Sequence, residues 1–111
     1  MKEYTKSIRS ELRSLNGLAH GRYLDRALSE LQQQFSRWES KEIDGFDLKE
    51  IIHQFHNGPA RDLYVSFGGS QRMNDSRVAN ALVEGLIKES EISAATLTAI
   101  ARSIENARAR F

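Results

Sequence analysis

The sequence predicts an all-α protein, a compact bundle of five to six helices in a single helical domain spanning residues 1–111. Apolar residues recur at alternating intervals of three and four, the spacing of one face of a helix. Capping residues with apolar neighbours mark helix starts near Asp47, Asn74 and Ser93. No segment alternates apolar and polar residues for long, so we expect no strand.

The first two helices are predicted over residues 3–15 and 18–39. Asn16-Gly17 is typical of a helix end, and His20-Gly21 marks a further break within the second helix. The apolar stripe of the first helix consists of Tyr4, Ile8, Leu12 and Leu15. The second helix carries a heptad stripe made of Leu24, Leu28, Leu31, Phe35 and Trp38. Two heptads are too few for a free coiled coil, so this stripe indicates packing against another helix.

The stretch from Phe46 to Gly69 predicts two short helices, over residues 47–56 and 59–67, that meet at a corner. Asp47 with Glu50 has the spacing of a capping box. At the corner, Gly58 can adopt a left-handed conformation cheaply, and Pro59 has no N–H to donate. One unbroken helix, kinked at Pro59, is the alternative.

Two further helices are predicted over residues 75–88 and 93–109. Asn74 or Asp75 caps the first, and Ser93 caps the second. Gly85 lies inside the first, where it costs about 1 kcal/mol relative to Ala and indicates close approach of a neighbouring backbone. The last helix again has heptad spacing, with Leu97, Ile100, Ile104, Ala107 and Phe111.

The composition limits the functions that fit this chain. Its net charge is +1, from 16 basic and 15 acidic residues, so no overall field attracts nucleic acid or an anionic membrane. The absence of cysteine excludes disulfides and thiolate zinc sites, and it suits a reducing compartment. No stretch approaches the roughly 20 apolar residues of a membrane span. We therefore expect a cytoplasmic protein without a membrane segment.

Two groups of residues are candidate sites. Glu50 and His53 form an E-x-x-H pair, and His56 follows three residues later, a spacing that allows a shared metal or a proton relay. A helix start at the predicted corner would offer an anion the N–H groups near Gly58 and Ala60 and the guanidinium of Arg61. The sequence has no nucleophile elbow and no P-loop, so it predicts neither a catalytic residue nor a cofactor.

Three functions remain after these exclusions. The favoured one is a non-enzymatic helical module for protein–protein interaction or regulation, because heptad stripes are present without a catalytic constellation. A small metal-binding protein or enzyme using His53 and His56 is the second. The third is nucleic-acid binding through a basic stripe on the first helix, which the overall charge disfavours. That stripe consists of Lys2, Lys6, Arg9 and Arg13.

The apolar stripes also predict self-association. The short helices bring few residues to cover both stripes, and Phe111 would place an aromatic side chain at a fraying chain end. A two-fold dimer buries such a stripe against its own copy. We therefore predict a homodimer, with helix 18–39 or helix 93–111 at its interface, or binding to another helical protein.

Overall fold

The computed structural model describes residues 4–61 and 73–110, which form five α-helices and contain no β-strand. The helices are α1 (Lys6–Glu39), α2 (Gly45–Phe55), α3 (Asn74–Val83), α4 (Ala94–Ala99) and α5 (Ala101–Arg110). A π-helical turn, His56–Ala60, continues α2, and a 3₁₀ turn, Glu89–Glu91, precedes α4. The all-α prediction is confirmed, whereas most of the predicted helix 59–67 lies outside the described residues.

Helix α1 is one unbroken helix of 34 residues, where the sequence predicts two. It begins at Thr5, whose hydroxyl accepts a hydrogen bond from the Ile8 N–H at 3.2 Å. The predicted stop at Asn16-Gly17 and the predicted break at Gly21 are both wrong. A glycine in a helix interior costs about 1 kcal/mol, which does not end a long helix whose residues Leu12, Leu15 and Ala19 are buried in the core.

The molecule is elongated, with principal dimensions of 53 × 25 × 24 Å. Its radius of gyration is 17.3 Å, against about 13 Å for a compact chain of this length. At 1.5 Å per residue, α1 alone is about 51 Å long, so this helix sets the longest dimension. The predicted compact bundle is therefore not confirmed.

The hydrophobic core lies at one end of α1. There, the N-terminal half of α1 packs against α3 and α4, and α3 packs along α5. Several of the core residues are alanines, which allow the helices to approach closely. The buried cluster consists of Leu12, Leu15, Ala19, Val78, Ala79, Ala81, Ile87, Ile92, Ile100, Ile104 and Ala107. The predicted inward faces of the first and last helices therefore lie in one core.

The N-cap of helix α2 lies three residues earlier than predicted. Its N-cap is Asp44, whose carboxylate accepts the Asp47 N–H at 2.8 Å, while Asp47 accepts the Asp44 N–H at 3.1 Å. The predicted box of Asp47 with Glu50 is wrong, because Asp44 and Asp47 offer the same chemistry one turn earlier. Phe46 consequently lies inside the helix and is exposed.

The predicted corner at Gly58 and Pro59 is not confirmed, because the backbone stays helical through Arg61. Gly58 does not have a positive φ. A side chain with a Cβ resists the helical conformation before proline, so glycine here lets the helix continue. The wider π turn accommodates the proline ring, which would clash with a carbonyl in a regular α-helix. The continuous helical backbone over residues 45–61 agrees with the unbroken helix of the alternative prediction, while its kink at Pro59 stays a prediction.

Helix α3 ends at Val83, five residues earlier than predicted. Gly85 has φ +84°, the left-handed conformation that ends a helix. Its N–H donates to the Leu82 carbonyl at 3.1 Å, and the Leu86 N–H donates to the Ala81 carbonyl at 2.9 Å, the pattern of a Schellman motif. Gly85 is thus a helix stop, and the predicted interior position with a close neighbouring backbone is wrong.

The N-caps of the last helices agree in part with the prediction. Ser93 caps α4, and its hydroxyl accepts the Thr96 N–H at 3.2 Å, which confirms that cap. The predicted helix 93–109 is interrupted at Ile100, which separates α4 from α5. Met73 occupies the N-cap of α3, where Asn74 or Asp75 was expected, and Asn74 is instead the first helical residue.

Candidate protein-interaction surface

The C-terminal half of α1 and helix α2 form a helical hairpin that extends away from the core. Residues 40–44 make the turn, and α2 with its π turn runs back along α1. Leu48 of α2 is buried, and Leu24 and Leu31 of α1 are half-buried. These residues close the hairpin without filling a separate core. The hairpin is referred to below as the arm.

One side of the arm exposes large apolar residues. Leu28 is 43% exposed, Phe35 is 38% exposed and Trp38 is 44% exposed. At about 100° per residue, Leu28 and Phe35 lie only about 20° apart on α1, so they share one face. The five predicted interface residues on α1 therefore divide: Leu24 and Leu31 are half-covered within the chain, and Leu28, Phe35 and Trp38 are exposed. These three are referred to below as the exposed stripe.

The tip of the arm is acidic. An open groove of about 650 Å³ lies there, with Trp38 and Ile43 as its apolar walls. The remaining lining residues are Glu39, Lys41, Glu42, Asp44 and Asp47. Over residues 39–50 the chain carries five acidic and two basic side chains, so this end of the arm has a negative potential.

The opposite half of α1 is basic. Lys6, Arg9 and Arg13 are exposed, as the predicted basic stripe requires, and Lys2 lies outside the described residues. Between residues 4 and 22 the chain has four basic residues and one acidic residue. The basic half of α1 and the acidic tip of the arm therefore lie at opposite ends of this helix.

In the second predicted interface, helix 93–111, the described residues of the heptad stripe are packed within the chain. Ile100, Ile104 and Ala107 are buried in the core, and Leu97 packs against it. Phe111 lies outside the described residues. These side chains are occupied by contacts within the chain, so the exposed stripe on the arm is the better candidate for a partner.

The predicted histidine site remains open to solvent. Glu50, His53 and His56 are all exposed. The His53 ring lies 3.1 Å from the Asn57 side-chain nitrogen, and Glu50 accepts a hydrogen bond from Gln54 at 3.4 Å. Across residues 4–61 and 73–110, no three potential ligands among histidine, aspartate and glutamate are placed to hold a metal ion. Metal binding or proton relay here stays a prediction.

The predicted anion site at Gly58, Ala60 and Arg61 stays a prediction, and the structure shows no helix start at Gly58 or Ala60. It depends on free N–H groups at a helix start near Gly58 and Ala60, but the backbone is already helical at these residues. The Arg61 N–H donates to the Gly58 carbonyl and is not free. The Arg61 side chain is exposed.

A polar anchor that the sequence does not reveal joins α1 to the start of α4. The Glu11 carboxylate accepts hydrogen bonds from the Ser93 N–H at 2.7 Å, the Ser93 hydroxyl at 2.6 Å and the Thr96 hydroxyl at 2.8 Å. The hydrogen bonds from Ser93, with a smaller contribution from Thr96, lower the pKa of Glu11. Glu11 is thereby held in its charged form at the helix N-terminus.

A second anchor lies near the middle of α1. Arg22 makes two hydrogen bonds to Glu91, at 2.6 and 2.8 Å, and a third to the Leu86 carbonyl at 2.6 Å. The Arg22 hydrogen bond, supported by the Lys88 N–H, lowers the pKa of Glu91 to about 2. This pair fixes the segment after α3 against α1.

A third anchor fixes the start of α1. The Tyr4 hydroxyl donates to the Asp75 carboxylate at 2.8 Å, and Asp75 is buried. Burial, followed by this hydrogen bond, raises the pKa of Tyr4. In all three anchors the partners are more than 60 residues apart in sequence, so no local spacing could have predicted them.

Comparison with known proteins adds no assignment. No protein-family model, curated protein or solved structure matches this chain. Within the described part of the chain, no helix has the length and apolar character needed to cross a lipid bilayer. The features of this chain that indicate a function are therefore the exposed stripe and the charges around it.

Proposed function

We propose that the protein is a non-enzymatic helical interaction module that binds through the exposed stripe of its arm, foremost to a second copy of itself. The observation that supports this is the exposure of Leu28, Phe35 and Trp38 on a helix whose other half is packed into a core. Several large apolar side chains exposed on one helix are typical of protein interaction sites.

The energy available from the exposed stripe is moderate. Full burial of a large apolar side chain contributes about 1.5–3 kcal/mol, so burying the exposed two-fifths of one contributes about 1 kcal/mol. Six such side chains in a symmetric dimer give roughly 6 kcal/mol. Association costs about 4–15 kcal/mol in lost freedom. A stable dimer therefore needs contact along more of α1 than these three residues.

Sedimentation equilibrium at micromolar concentration tests the proposal. We expect the wild-type chain to sediment at twice its 12.6 kDa mass, and Leu28→Glu to sediment as a monomer. Met73→Glu is the matched control, because Met73 is also an exposed apolar residue but lies outside the arm. A wild-type monomer, or dissociation by both substitutions alike, would contradict dimerisation through the stripe.

The cytoplasmic location, metal binding and nucleic-acid binding expected from the sequence also stay proposals. We place the module in the cytoplasm because a chain without cysteine suits a reducing compartment. Metal binding by His53 and His56, and nucleic-acid binding by the basic half of α1, stay predictions. Metal analysis of untagged protein tests the first, and salt-dependent retention on nucleic acid tests the second.

A further inference from the structure

Helix α1 carries one heptad series along nearly its whole length. From residue 7 to residue 38, positions separated alternately by three and four residues lie along a single seam. The first five are small and the last five are large. In order, they are Ser7, Ser10, Ser14, Gly17, Gly21, Leu24, Leu28, Leu31, Phe35 and Trp38.

Because the small residues precede the large ones, the seam of one α1 is complementary to the seam of a second α1 that runs antiparallel to it. When two copies of α1 run antiparallel, with the two-fold axis between residues 22 and 23, every large residue faces a small one. The five facing pairs are Ser7 with Trp38, Ser10 with Phe35, Ser14 with Leu31, Gly17 with Leu28 and Gly21 with Leu24. A parallel pair would instead place large residues against large residues and leave the small half unfilled.

We infer that two chains associate as an antiparallel dimer along α1, in which Gly17 and Gly21 of each copy receive Leu28 and Leu24 of the other. The inference rests on the proposed function and specifies its partner and register. It also supplies the extended contact that the exposed stripe alone lacks.

The exposure of the small residues supports this pairing. All five are exposed, and a Cβ added at Gly17 or Gly21 would meet no atom within 4 Å. Each glycine weakens the helix by about 1 kcal/mol relative to alanine, and no contact within the described chain explains either one. Glycine does permit close approach of a second helix.

Helix α2 leaves room for the second copy. Leu24 and Leu31, on one flank of the seam, are half-covered in the arm, while Leu28 and Phe35 on the other flank are exposed. The partner helix therefore approaches beside α2. The residues that remain free, Leu28 and Phe35, face Gly17 and Ser10 of the other copy.

The charges favour the same orientation. In this register Glu39 of one chain lies level with Lys6 of the other, so the acidic tip of each arm meets the basic half of the opposite α1. Residues 39–50 carry five acidic and two basic side chains, and residues 4–22 carry four basic and one acidic. A parallel dimer would bring like charges together at both ends, which opposes association.

Disulfide cross-linking tests the register, since the natural chain has no cysteine. Gly17→Cys and Leu28→Cys are made as separate single variants and then mixed in reductant before oxidation. In the inferred register, identical positions of the two copies are about 16 Å apart along the helix axis, beyond the roughly 7 Å limit between Cα atoms of a disulfide. We expect a covalent dimer in the mixture and none from either variant alone.

Every other result of the cross-linking and sedimentation experiments contradicts the inferred register, the proposed function or both. Cross-linking of the single variants with themselves would show a parallel pair and overturn this register, while leaving the proposed function intact. A dimer by sedimentation that never cross-links would place the contact on another face and also overturn the inference. A monomeric wild-type chain would overturn both proposals.

Gly17→Leu gives a second test that does not depend on cysteine. Leucine favours helix more than glycine, so the monomer should keep or gain helical stability while the filled seam excludes the partner's Leu28. We expect the dissociation constant to rise at least tenfold with circular dichroism unchanged. Unchanged dimerisation would contradict the pairing of Gly17 with Leu28.

Discussion

Replacement of Gly85 by alanine tests how α3 ends. Gly85 has φ +84°, and the N–H groups of Gly85 and Leu86 donate the hydrogen bonds that end the helix. There is open space around the position, since an added Cβ would meet no atom within 4 Å. Any loss of stability in Gly85→Ala would therefore come from backbone conformation and not from a clash.

The size of the effect follows from two opposing contributions. A residue with a Cβ pays about 1–2 kcal/mol in the left-handed region. Alanine also restricts the unfolded chain more than glycine does, which stabilises the folded state by about 0.4–1 kcal/mol. We expect Gly85→Ala to lower the free energy of unfolding by about 1 kcal/mol, which for a chain of this size is roughly 4 °C in Tm.

The measurement is thermal and urea denaturation followed by circular dichroism. Gly45→Ala is the matched control, because Gly45 is also exposed with open space around it, but begins a helix without a positive φ. We expect this control to be neutral or slightly stabilising. Equal stability of the two variants would refute the assignment of Gly85 as the helix stop.

Three further predictions concern the polar anchors. Glu11→Ala removes three hydrogen bonds at the start of α4, and we expect a loss of about 1–2 kcal/mol in urea denaturation. Tyr4→Phe removes the hydroxyl that donates to the buried Asp75, and we expect the free energy of unfolding to fall by about 1 kcal/mol in the same measurement. Because folding lowers the pKa of Glu91 from 4.5 to about 2, its stabilising effect is complete above pH 4.5 and falls as the pH approaches 2. Glu91→Gln should flatten stability against pH in that range, and an unchanged slope would contradict the pairing with Arg22.

Predictions from the sequence succeeded where a short segment decides the structure. The Ser93 cap depends on one hydroxyl and an N–H three residues later, and such spacing is visible in the sequence. The apolar faces of Leu12 and Leu15, and of Ile104 and Ala107, follow from helical periodicity alone. These faces were buried as expected.

Glycine was the main source of error. The sequence assigns stops to Gly17 and Gly58 and an interior position to Gly85, and the structure reverses all three. A glycine permits a helix end but does not require one. Which outcome occurs depends on packing of the flanking residues, as for Leu12, Leu15 and Ala19 around Gly17, and that information is not local.

The two halves of α1 show why the candidate surface was only partly predictable. Heptad spacing identifies the large residues from Leu24 to Trp38, but not which of them α2 covers. The buried residues of the other half, Leu12 and Leu15, lie on a different face from Ser10 and Ser14. Helix α1 therefore uses one face for the core and leaves the heptad seam outside it. Within the described chain, α2 half-covers Leu24 and Leu31, but no contact explains the exposed small residues of the seam. In the inferred dimer, the large residues of a second α1 would occupy that small half.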